Sequence, residues 1–239
     1  MRPPLLSTLA LLGLLAGCQS APKPSPGLAS LRVNVVAEPK AGSPLVSRAP
    51  VMYDQPGMTA TQQTGAYETV DYDNVEDIIV YLEPARGAAA APRTIDVNPG
   101  TTAGAVIPVS VGQKLTFRHA GAHGTPLYSV SEGNEFDVKT LAAGKTADYT
   151  VQSPGLIEVL TDPAKDPVLR LYAAPSRFVT ATRSGKSVDF TDVPPGSYTA
   201  VAWHPRLPSG QTAVTLTADQ AARATLKVGV NALPKVGAR

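Results

Sequence analysis

A single cysteine, Cys18, is all the thiol that 239 residues contain. One thiol forms no internal disulfide, so a hydrophobic core has to hold the fold. Concentrated charge is also missing: 21 Lys and Arg stand against 19 Asp and Glu, with no basic run and few aromatics. Nucleic-acid binding rests on clustered phosphate-neutralising charge, and that partner is excluded. No Gly-x-Ser-x-Gly elbow, His-Glu-x-x-His pair or phosphate loop occurs. With no free thiol to spare, no catalytic constellation can be named, and the chain is read as not an enzyme.

One long apolar run is present, and it lies at the N-terminus. "MRPPLLSTLALLGLLAGC" has a positive start at Arg2, an apolar stretch from Leu5 to Leu15, and small residues before Cys18. That layout is a secretory signal, too short to span a bilayer securely. The junction Leu15-Ala16-Gly17-Cys18 resembles the lipobox of bacterial lipoproteins. The resemblance implies a signal peptide over 1–17, lipidation at Cys18, and a bacterial envelope protein facing the periplasm. Gln19 in place of Asp implies sorting to the outer membrane. Acyl chains contribute about 0.8 kcal/mol per buried methylene, so the lipid alone would hold the protein on the membrane. The Pro- and Ser-rich stretch "QSAPKPSPGLA" then reads as a flexible tether, with the lipidated cysteine making up 18–29.

From residue 30 onward the hydrophobic period is two. "LRVNVVA" (31–37) alternates, and "EDIIVYLEP" (76–84) is a β-branched run closed by Pro84. Eleven further candidate strands follow between Gly, Pro, Asn and Asp turns: "AVIPVSV", "KLTFRH", "PLYSVS", "ADYTVQ", "GLIEVLT", "VLRLYAA", "RFVTAT", "KSVDFT", "SYTAVAWH", "TAVTLT" and "ARATLKVGV". The expectation is all-β, with one or two sandwiches. Only "TADQAAR" (217–223) invites a helical turn, capped by Thr217. "RGAAAAPR" (86–93) reads as a boundary, and 55–77 as a long exposed polar loop. Its residues Glu68, Asp71, Asp73, Glu76 and Asp77 are oxygen donors but fit no EF-hand spacing, so a solvated loop is expected over a calcium site.

The second half carries a family resemblance. "LTFRHAGAHGTPLYSVS", "NEFDV", "SPGLIEVLTDPAKDPVLRLYAA" and above all "DVPPGSYTAVAWHP" (192–205) resemble the cupredoxin-type proteins labelled methylamine utilization or plastocyanin-like. The resemblance implies a cupredoxin-like Greek-key β-sandwich combined with a transthyretin-like (carboxypeptidase-regulatory-like) β-sandwich. "IIVYLEP" resembles an early strand of the second, so the cupredoxin piece would lie between two parts of the outer module. The implied division is 30–85 for the first outer strands with the polar loop, 94–174 for the cupredoxin-like domain, 175–230 for the remaining outer strands, and 231–239 for a tail.

Type-1 copper takes two imidazoles, a thiolate and a weak axial thioether. Overlaying the family pattern puts Thr125 at the first His position, Thr161 at Cys, Ala164 at the second His and Pro167 at Met. Cys18, at the lipid, cannot substitute. No metal or other cofactor is expected; copper on His119 and His123 is the alternative, in a divergent copper-binding or electron-transfer protein. The overlay gives His119 the place of a bracing Asn, and His204 a structural role at a strand end. Four-residue spacing presents two imidazoles to one ion on a helix, and "HAGAHG" is a poor helix. Trp203 and Tyr198 are read as core rather than as a ligand face, and Phe117, Leu127, Val159, Phe178 and Phe190 as sandwich interior. The expected function is a lipid-anchored binding or structural module, whose partner is an envelope protein or a small ligand. The remaining alternative is an envelope enzyme of unrecognised type.

Overall fold

The computed structural model describes residues 21–39, 71–86, 90–162 and 165–229. Among these it has fifteen strands and no helix. Strand β1 (Ala29–Ala37) turns Leu31, Val33 and Val35 inward and pairs on both sides. One neighbour is β12 (Lys186–Val193), antiparallel; the other is β15 (Ala221–Val228), parallel. Facing this sheet is a second, ordered β11 (Val179–Thr182), β2 (Ile78–Glu83), β13 (Gly196–Trp203), β14 (Gly210–Leu216). Between them Leu31, Val33, Ile78, Val80, Leu82, Phe190, Ala200 and Leu226 form one core. On the surface of β1, Arg32 grips its cross-strand partner Asp189 with two bonds of 2.7 Å. The tyrosine of β13, Tyr198, donates from its hydroxyl to the Pro194 carbonyl at 2.8 Å, pinning the β12–β13 corner.

The strands in between build a second sandwich. β3 (Arg93–Val97), β5 (Lys114–His119) and β8 (Thr146–Thr150) form one sheet. β4 (Ile107–Ser110), β10 (Leu169–Ala174) and β9 (Gly155–Val159) form another. A hairpin of β6 (Thr125–Ser129) and β7 (Phe136–Leu141) joins β9 through a bridge at Tyr128 and Leu160. Val97, Leu115, Phe117, Leu127, Ile157, Val159 and Leu171 fill its interior. All-β sandwich architecture is thus what the alternating pattern encodes.

The two sandwiches pack sheet on sheet. Ile79, Tyr81 and Val201 on the outer face of β2 and β13 meet Val106, Tyr172 and Ala174. Strand β2 is therefore buried on both faces, which accounts for its unbroken apolar run. Tyr172 stacks on Trp203 at 4.0 Å between ring centres, and Tyr81 lies 6.0 Å from Tyr172. Burial first, and then its hydrogen bond to Tyr172, push the Tyr81 phenol far above its ordinary value. Strands β2 and β4 start at the same end, where the Asp77 carboxylate accepts the Val106 N–H at 2.9 Å. At that end β5 finishes at His119 and β13 at Trp203. The opposite end carries the β12–β13 and β14–β15 turns and the start of β1.

Three local expectations are corrected. Residues 217–220 form a tight turn with Asp219 at φ 62°, and Ala221 begins a strand, so the helical turn does not form. The alanines there alternate in and out along β15, as its parallel partner β1 requires. Strands β3 and β7 were not among the candidates: β3 turns only Ile95 and Val97 inward, too short an alternation to register, and β7 buries only Leu141 fully. Finally, the described part of the tether is fastened to the outer sandwich. Ser25 and Gly27 donate to the carboxylates of Asp192 and Asp219 at 2.9 and 2.7 Å, and Pro24 is buried. Cys18, Gln19 and the signal segment lie outside the described residues.

Candidate functional site

Three of the four positions assigned by resemblance to copper ligands are described, and they lie at the β5–β6 end of the inserted sandwich. Thr125 opens β6, paired with Leu141. Thr161 follows directly on Leu160, whose backbone exchanges bonds of 3.0 and 2.8 Å with Tyr128. Pro167 is buried, and its carbonyl accepts the Ala103 N–H at 2.7 Å. Ala164 lies outside the described residues. Two hydroxyls and a proline ring offer neither thiolate, imidazole nor thioether, so these residues do not fit type-1 copper. The loops are instead closed by the chain bonding to itself.

His119 is buried at the end of β5, whereas His123 is exposed in the following loop. Strand pairing fixes the first: His119 donates its backbone N–H to Lys145 and accepts from Gly144. Its ring Nδ1 accepts the Gly121 N–H at 3.0 Å. The ring proton therefore sits on Nε2, which is buried and finds no acceptor among the described residues. An imidazole held in that tautomer has no lone pair on Nε2 to give a metal. The glycine is demanded by the packing, since a Cβ at position 121 would stand 2.8 Å from His119 Cε1. His119 thus braces its own loop.

His204 plays a similar part at the end of β13. Its Nδ1 accepts two N–H groups, from Arg206 and Leu207, both at 3.1 Å. Burial first, then the Arg206 guanidinium, hold its pKa below the ordinary 6.5, against smaller opposing effects of Asp77 and the Glu76 backbone. The neutral ring is the folded form. Its contribution to stability is complete above pH 6.5 and is lost as pH falls below that value toward the depressed pKa. Urea midpoints measured from pH 7.5 to 5 should fall faster in the wild type than in His204→Asn, whose amide oxygen keeps an acceptor without titrating. Equal slopes would contradict this role.

Two of the acidic residues before β2, Asp71 and Asp77, are spoken for. Asp71 accepts from the Asp73 N–H and the Asn74 amide, which hold its carboxyl below the usual range, the Asn74 bond most strongly. Asp77 is committed to Val106, and Glu68 lies outside the described residues. Among the described residues no three of His, Cys, Asp and Glu gather around a point that could hold an ion. Tyr198 and Trp203 belong to the two cores described above, and Phe117, Leu127, Val159 and Phe190 are buried, with Phe178 packed edge-on against Phe190.

Sequence reasoning missed an open depression of about 530 Å³ at the other end of the inserted sandwich. It is lined by Ser131, Glu132, Gly133, Ser153, Pro154, Gly155, Leu156 and Glu158, with Val130 exposed nearby. The signal was there only as turn residues. Beneath it, buried Asn134 bonds the Ser153 carbonyl and accepts from Tyr149, Gln152 and Ser153, clamping two turns together.

No protein-family profile matches the chain, and no curated protein matches it. Among solved structures, a point mutant of amicyanin described as Cu(I) aligns with a TM-score of 0.27 and 16% identity, over 34% of this chain and 82% of that one. A reduced point mutant of amicyanin aligns at 0.27 and 14%, over 40% and 98%. Amicyanin is a cupredoxin.

Proposed function

We propose that the protein is a lipid-anchored component of a bacterial cell envelope, acylated at Cys18 and facing the periplasm from the outer membrane. In this reading residues 94–174 are a cupredoxin-type sandwich without copper, inserted in a transthyretin-type sandwich, and the whole serves as a binding or structural module. Its partner is an envelope protein or a small ligand, and it catalyses no reaction. The observation that carries the reading is the donor set: Thr125, Thr161 and Pro167 stand where ligands would be, and the nearby His119 has its Nδ1 engaged by Gly121. A frame kept with such side chains is a surface rather than a redox centre.

The test is copper loading of residues 19–239 followed by dialysis, metal analysis and a visible spectrum. A colourless protein without stoichiometric metal is expected. One tightly held copper per chain with an intense blue band would overturn the reading. Copper that binds and is lost in the His119→Ala, His123→Ala double variant would move the site to those residues.

A further inference from the structure

The segment joining the lipidated cysteine to the fold is too short, and too firmly held, to act as a spacer. Asp192, next to last in β12, and Asp219, in the β14–β15 turn, both sit at positive φ, 55° and 62°, at one end of the outer sandwich. An irregularity in the β1–β12 register, between the Leu31–Phe190 and Ala29–Val193 pairs, takes in Asp192. Bulges of this kind re-aim a side chain, and here the carboxylate reaches the Ser25 N–H, as that of Asp219 reaches Gly27. The Leu28 carbonyl accepts the Asp219 N–H at 2.7 Å, and the Ser30 hydroxyl donates to the Pro22 carbonyl. Residues 22–28 are thus strapped across that end from both sides.

Pro22 is four steps along the chain from Cys18, and an extended chain advances at most about 3.6 Å per step, or about 14 Å in all. The polar headgroup zone on one side of a bilayer takes up roughly 5–8 Å of this. We infer that the end of the outer sandwich formed by the β12–β13 and β14–β15 turns lies against a lipid surface, with the His119 loop at the membrane-distal end. This rests on acylation of Cys18 as proposed above. The eight residues of β13 run away from the strap; at about 3.3 Å per residue they carry the far end roughly 26 Å further out. The Asp77–Val106 bond and the shared aromatic layer align the inserted sandwich with that direction. Thr125, Thr161, His123 and the turn after Trp203 then lie at the end away from the membrane, where a soluble partner can reach it.

The experiment uses the full chain, purified from a lipoprotein-processing bacterial host and returned to phosphatidylcholine vesicles bearing a nitroxide on the headgroup. Mass analysis of the N-terminal peptide comes first; an unacylated Cys18 would sink both the anchoring reading and this orientation. In acylated protein Cys18 is blocked, so a cysteine introduced at exposed Gln220 or at exposed Ala122 carries the only fluorophore. Quenching is expected to be several-fold stronger at Gln220→Cys than at Ala122→Cys. Equal or reversed quenching with Cys18 acylated would overturn the orientation and leave the anchor standing. Adding Asp192→Ala and Asp219→Ala should bring the ratio toward one; a ratio that does not move would remove the strap from the argument. Hydrogen exchange at Ser25 and Gly27, slow in the parent and fast in the double variant, shows that the strap alone has been released.

Discussion

Gly210→Ala is expected to destabilise the outer sandwich by about 3 kcal/mol or more, a loss of roughly 6–12 °C in Tm for a domain of this size. The backbone of Gly210 is not in the left-handed region, so conformational freedom is not the reason. Space is: a Cβ at this position would lie 1.8 Å from the Lys227 carbonyl oxygen and 2.8 Å from its carbon. Both are backbone atoms of β15, which pairs in parallel with β1 and cannot retreat without opening that ladder. Overpacking against side chains typically costs 1–3 kcal/mol because rotamers can adjust. Here only strands can move. Gly104→Ala supplies the control, since a methyl there meets nothing within 4 Å; it should be neutral or stabilise by about 0.5 kcal/mol through the unfolded chain. Urea denaturation of both variants reads the difference, and a Gly210→Ala protein as stable as its parent would show that β14 and β15 do not approach in this way.

The second large effect lies between the sandwiches. Tyr172→Ala should cost about 3 kcal/mol and, more tellingly, should split one calorimetric transition into two. Tyr172 is buried, stacked on Trp203, and accepts a hydrogen bond from Tyr81. Truncation removes the ring on which the others rest, leaving a cavity the flanking sheets cannot collapse into. Cooperativity between two cores requires that opening one exposes surface of the other. This layer is the main apolar surface they share. Phe117→Ala, inside the inserted sandwich, should lower stability comparably but keep a single transition, because the layer that couples the cores is intact. A single unshifted endotherm for Tyr172→Ala would mean that the modules are coupled elsewhere.

Much of this architecture could be read from alternation alone, because a strand with one dry face repeats every two residues. β1 and β13 show it plainly, and β2 betrays its double burial by losing the polar half of the pattern. What could not be read was pairing. Nothing in "ARATLKVGV" says that its neighbour lies nearly two hundred residues earlier, or that the two run parallel, since register depends on partners rather than on local sequence. The proline-rich stretch 22–28 hides its attachment for a related reason: it has no core of its own, and it is held by two carboxylates far along the chain. At the site, the missing donors at Thr125, Thr161 and Pro167 are written in the residue types themselves. The tautomer of His119 is not, because it follows from a glycine amide placed by the loop.

The parallel ladder between β1 and β15 also sets an order of completion. Every strand of the inserted sandwich finds its ladder partners within residues 93–174. The first strand must wait: both of its neighbours, Lys186–Val193 and Ala221–Val228, are made only after the inserted sandwich. A chain emerging amino-end first therefore carries an unmatched apolar edge through most of its synthesis and export, the kind of exposure that invites association with other chains. Loss of the final few described residues would be felt at the opposite terminus, where Leu31, Val33 and Val35 would be left with half a sheet.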